Sequence, residues 1–227
     1  MWTDLYRDFR TATSSSAEDG LREKIKKTLL TRAKVTDTVI RSVPKQILDH
    51  VKGLSAHDHV VHFYETEEDK HRVLFSFVES KLKSGEIVQY YIHGGKPGEV
   101  KGKMKKHGID VDRFEKDGLL EIIDFRSLGV RPDISPKDAK DVLKGIYEAK
   151  GRRPMNIIAD DPLLVWDPKK LSELEEGHGR RLETPIVFFC VYPSRKVTKI
   201  RNDRLYLDLI KAHGHAIFPG VALKLVE

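Results

Sequence analysis

The sequence has one cysteine, no apolar run long enough to cross a bilayer, and none of the glycine signatures of the common phosphate and nucleophile sites. Each absence excludes a class. A lone cysteine forms no internal disulfide, which suits a reducing compartment. A spanning helix needs about 20 consecutive apolar residues, and no stretch approaches that length. The start, Met1 to Asp8, carries acids where a secretory leader would build its apolar core. These features set the expectation of a cytoplasmic protein without membrane association.

A Walker loop requires Gly, four residues, Gly, then Lys and Ser or Thr, so that amides and lysine cradle phosphates. The run His93-Gly94-Gly95-Lys96-Pro97-Gly98 fails this test. Pro97 removes an amide donor, and Lys96 precedes the last glycine. Gly-x-Gly-x-x-Gly and Gly-x-Ser-x-Gly are also missing. Cys190 falls inside the apolar run Pro185 to Tyr192 and not at an exposed turn, so a reactive thiolate is not expected there. No catalytic residue and no cofactor are assigned, and the chain is read as a non-enzyme.

What is present is regular alternation. The chain has 227 residues, 39% of them hydrophobic, enough for one large domain with a small appendage. Residues 1–56 read as an N-terminal helical segment. Leu21, Ile25, Leu29 and Leu30 recur at helical spacing, as do Val39, Ile40, Val43, Ile47, Leu48 and Val51, with Pro44 as a break or first-turn residue. This segment holds 11 Lys/Arg against 7 Asp/Glu, so +4 of the net +6 lies in it. That bias suits an acidic partner, a nucleic acid or a regulator protein bound through residues 17–53, or a solvated helical face. Helices this short bury little alone and should pack on the main domain, a second copy or a partner.

Residues 57–227 read as an α/β domain. Short apolar strands at Val60–Tyr64, Ile87–Ile92, Leu119–Asp124, Met155–Ala159 and Ile186–Tyr192 alternate with amphipathic helices. The helices fall at Glu67–Lys83, Gly98–His107, Pro136–Lys150, Pro168–Leu182 and Asp203–Ala212, with edge strands near 216–226. Continuous apolar strands mean a sheet covered on both faces. The expected fold is a doubly wound, mostly parallel sheet with helices on both sides. Ligands of such sheets bind beyond the carboxyl ends of the strands. That rule selects Phe63, Tyr64, Glu65, His93, Phe125, Asp160 and Tyr192 as ligand-binding candidates. The aromatics would supply an apolar wall and the polar groups would orient the ligand. His57, His59 and His62 are the candidates for a metal, although on an extended chain His62 faces away from the other two. Adjacent acids such as Glu175-Glu176 read as a solvated helix.

The run His59-Val60-Val61-His62-Phe63-Tyr64-Glu65, followed by an acidic turn, an amphipathic helix and Gly85-Glu86, resembles the opening of MEDS domains (methanogen/methylotroph, DcmR sensory). His107-Gly108-Ile109-Asp110-Val111, Leu119 to Asp124, Leu174-Glu175, Cys190-Val191-Tyr192 and His213 with Ile217 continue the likeness in order, over about residues 57–218. The resemblance implies a sensory domain related to RecA/KaiC-like ATPases that has lost its phosphate loop. It implies a small-molecule ligand, hydrocarbon derivatives included, and a place in prokaryotic signal transduction or transcription regulation. The resulting expectation is a sensor signalling through its N-terminal helices, with a homodimer among its assemblies. The alternatives are an ATP-binding protein with degenerate motifs and a DNA-binding regulator acting through the basic helices.

Overall fold

The computed structural model describes residues 43–199 and 205–225. The Leu21–Leu30 helix, the start of the next helical stretch and most of the basic segment fall outside those residues. In chain order the elements are α1 (Lys45–Lys52), β1 (His59–Tyr64), α2 (Glu67–Lys83), β2 (Ile87–Ile92), α3 (Pro97–Lys106), α4 (Val111–Lys116) and β3 (Leu120–Asp124). There follow a 3-10 turn (Phe125–Leu128), α5 (Pro136–Ala149), β4 (Met155–Asp160), a second 3-10 turn (Pro162–Leu164) and α6 (Pro168–His178). The chain closes with β5 (Val187–Pro193), α7 (Ser194–Lys199), α8 (Leu205–Ala212), β6 (His215–Phe218) and β7 (Val221–Lys224).

The seven strands form one sheet in the order β3-β2-β4-β5-β1-β6-β7. All pairs are parallel except β6–β7. Strands β1 and β2 are buried along their whole length, as a sheet covered on both faces requires. The order explains the layers. From β1 through β2 to β3 the chain moves one way, and α2, α3 and α4 cover one face with Val73, Phe77, Met104 and Phe114. From β3 back to β6 it moves the other way, and α5, α6 and α8 cover the second face with Leu143, Leu171 and Leu209. Neighbours β1 and β5 therefore send their following helices to opposite faces, the arrangement of a topological switch point.

Three local differences from the sequence reading have simple causes. Asp110 caps a further short helix, α4, by accepting a hydrogen bond from the Arg113 amide. Helix α6 stops at His178, not Leu182, because Gly179 takes φ 72°. Pro44 is the residue before α1, outside its first turn. Ile47 and Val51 of α1, with Leu54, are buried in the same core cluster as β1 and α2. This end of the N-terminal segment is thus continuous with the α/β core and not an appendage.

One close approach sets the position of α5. A Cβ added at Gly177 on α6 would lie 2.5 Å from Pro136 Cβ at the start of α5. Gly177→Ala must push the two helices apart, at a cost of about 1–3 kcal/mol. Chemical denaturation of that variant measures it, and an unchanged midpoint would show that α5 shifts freely.

Candidate functional site

The strand ends carry two separate constructions, one on each face of the sheet. On the α2 face, Asp160 at the end of β4 is closed into a network. Lys70 Nζ lies 3.3 Å from both of its carboxylate oxygens, and the Tyr90 hydroxyl donates to Oδ2 at 2.7 Å. Lys70 also pairs with Glu67 at 2.9 Å and sits 5.0 Å from the centroid of the Tyr64 ring. Burial and the neighbouring carboxylates push the Tyr64 hydroxyl well up. Burial alone would raise Glu67, but Lys70 holds it below the usual range. The turn from β1 into α2 spends its own donors: Thr66 accepts from the Asp69 amide, and Glu67, Glu68 and Asp69 fill the first helical turn. Acids at that position repel a phosphate that a bare helix N-terminus would attract.

On the opposite face an apolar cavity of about 90 Å³ opens between α5, α6 and the sheet. Its wall includes Tyr91, Phe125, Val142, Leu143, Ile157 and Trp166, with Glu175 and His178 as polar members. His93 Nδ1 donates to the Asp160 carbonyl at 3.0 Å. Its ring stacks on Phe125 at 4.5 Å and lies 5.7 Å from Trp166. Burial lowers its pKa to about 4, so it is neutral near pH 7. The Trp166 indole N–H is buried without a hydrogen-bond partner. Leu128, Val142 and Leu164 are the exposed large hydrophobic residues among those described, at 41%, 39% and 52% exposure. The first two line the cavity, and Leu164 belongs to the turn that supplies Pro162 to its wall. Two of these three exposed side chains thus border the cavity, while Leu164 lies over Gly94.

The seven ligand candidates divide accordingly. His93 and Phe125 reach the cavity. Tyr64 and Asp160 belong to the Lys70 network. Phe63 is fully buried between Tyr206 and Phe218, with ring centroids 4.2 and 5.5 Å away. Glu65 is half-buried between β1 and α2, and its charge reinforces the burial that pushes the Tyr206 hydroxyl up. Tyr192 is fully buried and donates to Glu175 Oε1. These seven do not form one ring. Tyr64 and Asp160 point to the α2 face, because alternate residues of a strand point to opposite sides, whereas Phe63 and Tyr192 share the cavity's face but are covered by α8 and α6.

Nor do the three histidines converge. His57 Nδ1 donates to the Leu182 carbonyl at 2.8 Å. His62 faces α2, 6.2 Å from Phe189 and with its Nδ1 unpartnered. Its burial lowers its pKa to about 3. His59 alone turns to the α6 face, where it meets Glu175, Cys190 and His213. The solvated reading of Glu175-Glu176 holds for Glu176 only, since Glu175 is just 4% exposed. The sequence did contain the signal. Leu171, Leu174, Glu175 and His178 occupy the i, i+3, i+4, i+7 stripe of α6 that faces inward.

A model of the MEDS family, the "MEthanogen/methylotroph, DcmR Sensory domain", matches residues 58–213. The chain belongs to the MEDS family. Its MEDS domain runs from the residue before β1 to His213, so it contains both faces of the strand-end region. No curated protein matches the chain significantly. Two solved structures share the fold at low identity. An uncharacterized protein from Pyrococcus horikoshii, in complex with an unknown peptide, is 15% identical with a TM-score of 0.54, over 77% of this chain and 82% of that one. The second, solved as an ATPase domain, is 11% identical with a TM-score of 0.52, over 86% of this chain and 82% of that one. The MEDS domain here has a RecA-like fold. No helix among the described residues is long and apolar enough to cross a membrane.

Proposed function

We propose that this MEDS domain is a non-catalytic sensor that takes a small, mainly apolar molecule into the cavity between α5, α6 and the sheet. Exposed Leu128 and Val142 in the wall of an apolar cavity carry the reading. A water occupies about 30 Å³ of liquid, and a dry cavity of about 150 Å³ takes up benzene. A cavity of about 90 Å³ therefore suits a ligand of only a few heavy atoms. The unpartnered Trp166 N–H offers one donor, so the best ligand carries one acceptor on a short hydrocarbon body. On the other face, the acids at the start of α2 and the Asp160 carboxylate already paired with Lys70 disfavour a nucleotide. Output is assigned to the N-terminal segment through α1, whose Ile47 and Val51 lie in the core, in a cytoplasmic signalling or transcription-regulating protein.

A thermal-shift panel of short hydrocarbons bearing one alcohol, carbonyl, thioether or halogen tests this reading. A ligand at one hundred times its Kd stabilises by about 2.7 kcal/mol. Ala139 on α5 lines the cavity and is half-buried, so Ala139→Trp should fill it and abolish the shift while the fold persists. ATP with magnesium should give no shift. A panel without a stabilising member, or stabilisation by ATP alone, would sink the proposal.

A further inference from the structure

Four metal-ligating side chains meet in the interior beside the cavity. His59 on β1, Glu175 on α6, Cys190 on β5 and His213 after α8 are all buried, and one ligand atom from each lies within 4.8 Å of the others. They come from four separate elements, and the parallel pairing that sets Val61 opposite Cys190 puts His59 and Cys190 on one face. Glu175 Oε2 lies 3.2 Å from His59 Nε2 and 3.5 Å from His213 Nε2. Cys190 Sγ lies 3.7 Å from His59 Nε2 and 3.8 Å from Glu175 Oε2.

The hydrogen bonds around these rings fix where their lone pairs point. His59 Nδ1 donates to the Gly179 carbonyl at 2.8 Å, and His213 Nδ1 donates to the Leu209 carbonyl at 2.6 Å. A neutral imidazole protonated at Nδ1 has only a lone pair at Nε2. Both Nε2 atoms thus face a carboxylate oxygen, and His213 Nε2 has no hydrogen-bond partner although the residue is wholly buried. Lone pairs converging on a buried carboxylate repel one another unless a cation lies between them. A carbonyl acceptor behind each metal-facing imidazole is also the arrangement that orients histidine ligands.

Four of the six edges, at 3.2, 3.5, 3.7 and 3.8 Å, are close to those of a single central ion, and the other two are within 4.8 Å. With bonds of about 2.0–2.2 Å to nitrogen and oxygen and about 2.3 Å to sulfur, a tetrahedral zinc site has edges of roughly 3.3–3.7 Å. We propose that His59, Glu175, Cys190 and His213 bind one first-row divalent cation of the zinc class. Two imidazoles, one thiolate and one carboxylate favour such a borderline ion over calcium or magnesium. On binding, the Cys190 S–H bond breaks, a metal–sulfur bond forms and the proton passes to solvent. Tyr192 holds the other carboxylate oxygen and positions the glutamate.

The full chain, stripped with a chelator and titrated with Co²⁺, tests this directly. One equivalent should bind, with the intense thiolate-to-cobalt charge-transfer band and the visible bands of a tetrahedral site, and with proton release. Zn²⁺ should displace it stoichiometrically. Cys190→Ser should abolish the charge-transfer band, and His213→Ala should weaken Co²⁺ binding by on the order of 100-fold or more. His57→Asn, at a ring that turns away from the cluster to the Leu182 carbonyl, should keep the spectrum and so controls for folding. A wild-type chain that takes up no Co²⁺, or binds it without the sulfur band, would overturn the site. The readout needs no apolar ligand, so it stands or falls separately from the sensing proposal.

Discussion

Lys70→Ala is expected to destabilise the fold by about 3–5 kcal/mol, the usual loss when one partner of a buried pair is removed. Lys70 is 6% exposed and is the cation against Asp160, which ends the interior strand β4. Without it the Asp160 carboxylate keeps only the Tyr90 hydroxyl, and Glu67 loses its 2.9 Å partner. Chemical denaturation gives the loss. Asp160→Asn in the Lys70→Ala background should restore part of it, because the second change removes the uncompensated charge. A single-variant cost below about 1 kcal/mol would class the pair with surface bridges and contradict the closed network described on the α2 face. The same experiment bears on nucleotide binding. If the network reserved a phosphate site, Lys70→Ala would change an ATP-dependent shift, whereas no such shift is expected in either protein.

Acidification should have a comparably large effect. Burial holds His62 at about 3 and His93 at about 4, below the free value of about 6.5. Lys70 also disfavours charge on His62, whereas Asp160 and Asp124 oppose the depression at His93. Groups with a depressed folded pKa stay neutral in the native state while the unfolded chain takes up protons. Their contribution is therefore complete above about pH 6.5 and is lost as the pH falls towards 4. Each histidine withdraws on the order of 3 kcal/mol by pH 4, a large share of the 5–15 kcal/mol that holds a typical domain together. Urea midpoints measured from pH 7 to 4 should fall steeply below pH 6. His62→Gln and His93→Gln, compared as relative slopes, should each flatten that dependence by about one proton. A flat profile between pH 6.5 and 5 would show that these rings are charged in the folded state.

Much of the fold was legible in the chain. Strands such as Ile87–Ile92 are short and apolar throughout because helices cover both faces, and that alone implied a doubly wound sheet. The caps were legible too: Ser135 before Pro136 marks the start of α5, and its hydroxyl accepts from the Asp138 amide. Helix α4 and the end of α6 at Gly179 were less so, because short helices and their stops depend on single side-chain bonds and backbone angles. The strand-end rule named His93 and Phe125, which reach the cavity, but it also named Phe63, Tyr64 and Tyr192, which do not. Period two turns Tyr64 away from the cavity's face, but only packing decides that Phe63 and Tyr192, on that same face, are covered by α8 and α6.

The sequence by itself determined the absence of a phosphate loop, the sheet with two covered faces and the family, because each rests on local pattern and order along the chain. Only the tertiary structure decided how the acids and histidines were grouped. Asp160 met Lys70, ninety residues before it in the chain, and Glu175 met His59, Cys190 and His213 from three other elements. No spacing in the chain encodes those meetings. They follow from strand order, since β5 lies beside β1 and α6 and α8 pack over that pair. The lone cysteine that excluded a disulfide thus became, once folded, one wall of a buried four-ligand cluster.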